Sequence, residues 1–239
     1  MLVVLDRTPF YAEMGGQVAD HGYLVSGDAK LKVTQVKKTP KGYFVHTCEL
    51  LDGTIHVDDE VTASVDEKRR AAICRNHTAT HLLQKALREV LGEHVHQPAA
   101  IRRPDHSLRL THFSAVSPAE LAEVERRVNE KIYEALPVTV KNLPIEEAKK
   151  MGAMALFGEK YGSVVRVVDA GGWSTEFCGG THVTNTAQIG CFKILSESSV
   201  AAGIRRIEAT TAFGVLDLLD DRTEILAKTA VALKANNLK

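Results

Sequence analysis

The first 65 residues alternate apolar and polar positions with the two-residue period of a half-buried β-strand. Short runs rich in β-branched residues are separated by turns that contain Gly, Asp or Pro, and the clearest runs are residues 31–36, 42–46 and 60–65. No part of this stretch has helical spacing. Strands that recur at such short intervals are typical of a small barrel, so we predict a β-barrel over residues 1–65.

The pattern changes at Asp66, where a long segment without Gly or Pro begins and continues to Leu91. The acidic residues Asp66 and Glu67 suit the positive end of a helix dipole, and Gly92 can end the helix. The sequence therefore predicts one long helix over residues 66–91.

Two further helices and three strands are predicted downstream. Residues 117–120, with Ser117, Pro118 and Glu120, form a capping-box pattern with proline at the first helical position, which predicts a helix over 118–136. The other predicted elements are a short helix over 145–151 and strands over 163–168, 176–177 and 191–197. Helices packed on an antiparallel sheet make residues 66–211 an α+β unit.

The last segment, residues 212–239, is again helical in pattern. Leucines recur at roughly helical spacing, at Leu216, Leu219, Leu226 and Leu233. The stripe could pair two chains into an oligomer or pack on the chain's own core. No end signal follows it, which agrees with a helix cut by a fragment boundary.

The composition is that of an ordinary globular protein, with 239 residues of which 44% are hydrophobic. Lys+Arg and Asp+Glu both total 30, so a nucleic-acid ligand would need local basic patches. The sequence starts with no secretory signal, and no apolar stretch approaches the ~20 residues that span a bilayer. Four cysteines in this length do not indicate a disulfide scaffold. We therefore expect a reduced, cytoplasmic protein whose cysteines are core residues or metal ligands.

Two four-residue steps between His and Cys residues supply candidate metal ligands. His77 and His81 lie one turn apart on the same face of the predicted long helix, so both imidazoles can reach one ion. Cys178 and His182 repeat the step around two glycines, which predict a tight loop. Three imidazoles and one thiolate are a plausible tetrahedral zinc set. Four protein ligands suit a structural site, whereas a catalytic site keeps a position for water, and the spacing leaves both alternatives open.

The residues around these motifs resemble the editing domain of alanyl-tRNA synthetases of the bacterial type. The metal motifs of that family also occur in stand-alone alanyl-tRNA editing proteins of the AlaX type and, more loosely, in threonyl-tRNA synthetase. The resemblance rests on the metal motifs at 75–83 and 178–182, a glycine-rich motif at 8–17, and blocks at 155–162 and 203–209. It runs from about residue 2 to residue 211, and the glycine-rich motif argues against the threonyl alternative.

The resemblance implies a zinc-dependent editing core over residues 66–211, preceded by the barrel and followed by the C-terminal helix. The implied activity is hydrolysis of the ester that joins Ser or Gly to the 3′ end of tRNA(Ala), with the tRNA acceptor end as partner. The alternative is a non-catalytic, zinc-stapled tRNA-binding module. We recognise no aminoacylation domain and no ATP-binding motif, so we expect either a fragment of a synthetase, with the remainder as its partner, or a free editing protein.

The resemblance also implies roles for individual residues. Gln97 is implied to face the amino-acid pocket, where a hydrogen bond to a seryl hydroxyl would spare Ala, because Ala leaves that polar group unpaired. Thr80, next to His81, is a second candidate for this role. We expect His182 to be the ligand that sits loosely or yields to water.

A second group of residues is implied to contact the tRNA. Arg205 is implied to contact the acceptor end, whereas Arg206, on the other face of the same strand, is expected to pair with a carboxylate in the core. Gly15 and Gly16 would let a backbone loop approach the CCA end closely, or they form an ordinary turn.

Overall fold

The computed structural model describes residues 1–101, 107–111, 114–154 and 162–235, with backbone alone for 96–101 and 107–111. The architecture is α+β, as predicted, with antiparallel sheets and helices. The N-terminal strands are β1 (Leu2–Val4), β2 (Gly22–Ser26), β3 (Ala29–Lys38), β4 (Phe44–Asp52) and β5 (Thr62–Val65). They form one sheet in the order β1-β4-β3-β2-β5.

The N-terminal sheet is open, so the predicted barrel closure is not confirmed. Strands β1 and β5 are its two edges, with three and four residues, and no pairing joins them in the described region. A cleft of about 1030 Å³ lies at this opening, lined by residues 1–9, 55–61 and 63. Alternation is regular in the first half of β3, where Ala29, Leu31 and Val33 are buried while the residues between them are exposed.

His46 lies fully buried in the core of this sheet. Its Nδ1 is 3.1 Å from the carbonyl oxygen of Val3, and its Nε2 is 2.8 Å from Oγ1 of Thr8. Burial lowers the pKa of His46 from its usual 6.5, although the bond to Val3 opposes this. The folded chain therefore favours the neutral ring.

This buried histidine predicts a pH dependence of stability. Because the unfolded chain binds the proton more readily, the free energy of unfolding should rise with pH between the lowered pKa and 6.5, and the contribution of His46 is complete above that value. In His46→Gln the side-chain amide offers a donor and an acceptor in place of the ring but cannot titrate. The unfolding free energy of this variant should therefore depend less steeply on pH. Urea titrations from about pH 5 to about pH 7.5 measure both slopes. Equal slopes for the two proteins would count against this assignment.

The long helix α1 spans Glu67–Leu91, which confirms the prediction. Asp66 is its N-cap and accepts a hydrogen bond from the backbone N–H of Arg69 at 3.0 Å. Gly92 ends the helix with φ 113°, a conformation that favours glycine. The middle of α1 is buried, so both histidines of its metal motif lie inside the protein.

The second helix, α2 (Pro118–Tyr133), has the predicted capping box between Ser117 and Glu120. It ends earlier than predicted, because Ala135 adopts φ 52° and breaks the helical path. A short helix α3 (Ile145–Lys150) is present as predicted.

Seven further strands follow β5 in the described part of the chain. They are β6 (His96–Ile101), β7 (Ser107–Thr111), β8 (Val138–Pro144), β9 (Val164–Ala170), β10 (Ser174–Phe177), β11 (Phe192–Ala201) and β12 (Ile204–Thr211). They form a four-stranded sheet β11-β12-β7-β6 and a three-stranded sheet β10-β9-β8. Strands β9, β10 and β11 confirm predicted positions. None of the strands predicted over 163–168, 176–177 and 191–197 lies at β6, β7 or β8. At β8 most side chains are exposed and the two-residue alternation is weak.

The C-terminal helix α4 spans Phe213–Ala232, and none of its side chains is buried. Leu216, Leu219 and Leu226 are each more than half exposed. The leucine stripe does not pack on the core of the described chain, and pairing of two chains through it remains a prediction. Within the described parts of the chain, every helix is too short or too polar to span a lipid bilayer.

Candidate metal centre

The four residues of the two metal motifs meet at one place. One ligand atom from each of His77, His81, Cys178 and His182 lies within 4.8 Å of the other three. Sγ of Cys178 is 3.1 Å from Nε2 of His77 and 3.3 Å from Nε2 of His182. In a tetrahedral zinc site, S and N ligands lie about 3.5 Å apart, given the usual Zn–S and Zn–N bond lengths. The donor set, and the distances from Cys178 to two of the imidazoles, therefore fit a metal of this kind.

The two motifs reach this place from different elements. His77 and His81 project from one face of α1, with ring centroids 5.2 Å apart. Cys178 follows directly after β10, and its backbone N–H donates to the carbonyl oxygen of Arg166 on β9 at 2.9 Å. His77, His81 and Cys178 are buried, whereas His182 is partly exposed. The open side of the cluster is therefore the side of His182.

Arg166 holds the loop that carries the second motif. Its Nη1 donates to the carbonyl oxygens of Cys178 at 2.6 Å and of Gly180 at 2.7 Å. The backbone N–H of Gly180 lies 3.5 Å from Sγ of Cys178, in position to donate to it. The N–H of Gly180 therefore faces the sulfur atom that would bind the metal.

The two glycines of this loop have different surroundings. A Cβ on Gly180 would lie 2.0 Å from Cε1 of His77 and 2.6 Å from Oε1 of Gln17. A Cβ on Gly179 would meet no atom within 4 Å. Gly180 is therefore required by close packing against a ligand ring, whereas Gly179 is not.

Hydrogen bonds outside the cluster orient two of the imidazoles. The hydroxyl of Thr78 donates to the carbonyl oxygen of Cys74 at 3.0 Å, so it can accept from Nδ1 of His182 at 3.1 Å. The Nδ1 of His77 lies 2.7 Å from Oε1 of Gln17. Both rings thereby turn Nε2 towards Cys178.

A buried carboxylate lies beside the third imidazole. Oε2 of Glu176, on β10, is 3.5 Å from Nε2 of His81, and both residues are almost completely buried. Oε1 of Glu176 is 3.4 Å from Oγ of Ser174. In its ionised form this carboxylate would add to the electrostatic attraction for a cation.

The two residues proposed for the amino-acid pocket are placed to different extents. Thr80 lies on α1, is 7% exposed, and donates its hydroxyl proton to the carbonyl oxygen of Asn76 at 2.9 Å. Gln97 lies on β6, and its side chain is outside the described atoms. The roles of both residues remain predictions.

The two candidate arginines lie on β12 and are both paired. Arg205 donates to Glu197 through Nε and through Nη2, the latter at 2.8 Å, and the two side chains are 16% and 8% exposed. Arg206 pairs with Glu208 at 2.6 Å, and both side chains are more than a third exposed. Arg206 therefore has a carboxylate partner as expected, but at the surface. The tRNA contact of Arg205 remains a prediction.

Gly15 and Gly16 form a tight turn, with φ 56° and 77°. The residues on either side, Met14 and Gln17, pair as an antiparallel bridge. This geometry matches the ordinary-turn alternative, and close approach to a CCA end remains a prediction.

Four residues at the centre are absent from the sequence-based prediction. Gln17 ends the glycine-rich motif and Thr78 lies inside the first metal motif, so their neighbourhood in the sequence is a signal for both. Glu176 lies two residues before Cys178, which is a similar signal. Arg166 has no such signal, because only the pairing of β9 with β10 brings it beside the loop.

Comparisons with known proteins all find similarity to aminoacyl-tRNA synthetases. A family model described as "Threonyl and Alanyl tRNA synthetase second additional domain" matches residues 165–208, and one described as "tRNA synthetases class II (A)" matches residues 1–69. "Alanine--tRNA ligase" of Acetivibrio thermocellus is 53% identical over 98% of this chain. The proteins of the same name from Shouchella clausii and Bacillus subtilis are 51% and 50% identical, also over 98% of the chain. This chain spans only 27% of the length of each of these relatives.

Proposed function

Because this chain is related over nearly its whole length to a segment of bacterial alanine–tRNA ligases, we propose that it is their editing region and hydrolyses mischarged tRNA(Ala). The bond cleaved is the ester that joins Ser to the 3′ end of the tRNA. The same ester of Gly is a second proposed substrate. The observation that carries the proposal is the cluster of His77, His81, Cys178 and His182. The rest of the ligase is the proposed partner in the cytoplasm, together with the acceptor end of tRNA(Ala).

Zinc is the metal that this donor set suits best. Three imidazoles and one thiolate combine borderline and soft ligands, which favour Zn²⁺ over the oxygen-seeking Mg²⁺ and Ca²⁺. When bound, zinc supplies Lewis acidity, which polarises a carbonyl oxygen or acidifies water near neutral pH. The ligands would be His77, His81 and Cys178 as the buried set, with His182 on the open side.

The chain's own residues supply orientation and exclusion of water. The buried side chains of His77, His81 and Cys178 keep solvent away from one side of the cluster, so a substrate would approach past the partly exposed His182. The bond from Thr78 restrains His182, and displacement of this ligand by water would have to break it. This hydrogen bond therefore opposes the expected displacement of His182 by water.

Selection of Ser over Ala needs a polar group in the pocket. The hydroxyl of Thr80 gives its proton to Asn76, which leaves its oxygen able to accept a hydrogen bond from a seryl hydroxyl. A seryl ester would gain this bond, whereas an alanyl ester would leave the oxygen unpaired. We propose Thr80 and Gln97 as the residues that make this distinction.

Deacylation of Ser-tRNA(Ala) by the purified chain tests the proposed activity. We expect the wild-type chain to hydrolyse it at least about a hundredfold faster than the double variant Cys178→Ala with His81→Ala, because polarisation by a metal is worth several kcal/mol of barrier. Cys191→Ala is the matched control, since this cysteine is exposed and lies outside the cluster. Its rate should equal that of the wild type.

Two results would contradict the proposal. Equal rates for the wild type and the double variant would favour the non-catalytic, zinc-stapled tRNA-binding module. Faster release of Ser from tRNA(Thr) than from tRNA(Ala) would favour editing of the threonyl type. Rates on Gly-tRNA(Ala) and Ala-tRNA(Ala), measured in parallel, give the amino-acid preference.

A further inference from the structure

We propose that Gln17, from the glycine-rich motif, is a positioning residue of the metal centre. It would hold His77 in the tautomer that binds a metal through Nε2, and it would hold the loop of the second metal motif against that ring. The inference rests on the proposed metal binding. The four candidate ligands all lie between residues 77 and 182, so with Gln17 the N-terminal region also contributes to the centre.

The glycine turn explains how Gln17 reaches the centre. The backbone N–H of Met14 donates to the carbonyl oxygen of Gln17 at 3.2 Å, and that of Gln17 donates back to Met14 at 3.0 Å. Gly15 and Gly16 between them both have positive φ, as in a two-residue type I′ turn, which strongly favours glycine. After this turn the side chain of Gln17 is fully buried.

The side-chain amide of Gln17 makes three hydrogen bonds to the residues of the metal centre and its loop. Its Oε1 is 2.7 Å from Nδ1 of His77 and accepts from the backbone N–H of Thr181 at 2.9 Å. Its Nε2 donates to Oγ1 of Thr181 at 2.9 Å. The N–H of Thr181 can only donate, so it identifies Oε1 as the oxygen of the amide.

This orientation decides the tautomer of His77. An amide oxygen can only accept, so Nδ1 of His77 must carry the proton in this contact. Nε2 is then the nitrogen with the free electron pair, and it is the one that lies 3.1 Å from Sγ of Cys178. Ligand histidines commonly depend on such an outer hydrogen bond, and its loss typically weakens metal binding about 10–100-fold.

The same amide also keeps the loop in place. Thr181 lies between Gly180 and the ligand His182, and two of the three bonds from Gln17 go to it. A single side chain therefore fixes the ring of His77 on α1 and the loop that carries Cys178 and His182. The glycine-rich motif thus serves the metal centre as well as the turn.

Two variants of Gln17 separate the hydrogen bond from the packing. Gln17→Met keeps the length of the side chain but removes the acceptor, and we expect it to bind Zn²⁺ about 10–100-fold more weakly in competition with a chromophoric chelator. Gln17→Glu keeps an oxygen acceptor for His77 and Thr181, so its affinity should stay within about tenfold of the wild type. The visible spectrum of bound Co²⁺ should be altered in Gln17→Met and largely retained in Gln17→Glu.

A third measurement does not depend on either variant folding or on activity. The ¹⁵N chemical shifts of His77 in the metal-free wild-type chain should show the proton on Nδ1, and a proton on Nε2 would overturn the inference. So would wild-type zinc affinity in Gln17→Met, or equal weakening in both variants, which would show that the oxygen acceptor towards His77 and Thr181 does not hold the centre. A wild-type chain that binds no Zn²⁺ would instead overturn the proposed metal centre and, with it, this inference.

Discussion

Replacing Gly180 with Ala is expected to weaken metal binding by more than about a hundredfold, whereas the same change at Gly179 should leave it intact. The added methyl group at 180 would overlap the ring of His77 and the amide oxygen of Gln17. Neither can withdraw freely, because each is fully buried and they are bonded to each other. Relief of the overlap must therefore displace a ligand ring or the loop that carries Cys178.

The pair Gly180→Ala and Gly179→Ala is a matched comparison, since both change one hydrogen to a methyl group in the same loop. We expect Zn²⁺ affinity to fall by more than about a hundredfold at position 180, since the change disturbs a ligand as well as its outer hydrogen bond. The change at position 179 should have no measurable effect. Competition with a chromophoric chelator measures both, and deacylation of Ser-tRNA(Ala) should follow the same order. Similar affinities for the two variants would contradict the assigned packing.

Removal of the carboxylate of Asp20 should strongly destabilise the fold. Asp20 is fully buried, and its Oδ1 accepts from Nε of Arg70 on α1 at 2.8 Å, with a second bond from Nη2 to Oδ2. Its Oδ2 also accepts from the backbone N–H of Tyr11 at 2.6 Å. This carboxylate thus joins the N-terminal region to the start of α1.

The expected loss for Asp20→Ala is about 3 kcal/mol of unfolding free energy, because the change leaves a donor and a charge without their buried partner. The value lies at the lower end for buried pairs, since the side chain of Arg70 remains 28% exposed. Glu130→Ala is the control, because it removes a half-exposed carboxylate from a surface pair with Arg126. This variant should lose less than about 1 kcal/mol.

Urea unfolding of both variants measures the difference. A loss for Asp20→Ala no larger than that for Glu130→Ala would show that the buried pair does not join the two regions energetically. Since a typical domain has about 5–15 kcal/mol of stability in total, the expected loss is a large share of it.

The helices illustrate what local sequence determines. Asp66 and Gly92 predict both ends of α1, and the structure has an N-cap and a stop at these residues. The capping box at Ser117 predicts the start of α2 in the same way. These signals work because a helix end is satisfied by side chains within one turn of it. The predicted end of α2 is wrong by three residues, since the true end depends on the positive φ of Ala135.

The candidate metal ligands could be identified from the sequence for a similar reason. The step from His77 to His81 places both rings on one face of a helix, and the motifs around them indicate a resemblance to alanyl-tRNA synthetases that the comparisons confirm. What the spacing could not show was that the two motifs meet. Their approach depends on the packing of α1 against the loop after β10, between residues about a hundred positions apart.

The sequence alone therefore determined both ends of α1, the start of α2, several strands, the α+β class and the identity of the four candidate ligands, because each of these follows from spacing within a few residues or from a whole motif. Only the tertiary structure decided the open N-terminal sheet, the pairing of Arg205 with Glu197, and the roles of Gln17 and Arg166 at the cluster. The physical reason is that hydrogen bonds and ion pairs between distant segments leave no periodic trace in either segment. They exist only where folding brings a buried donor and its acceptor together.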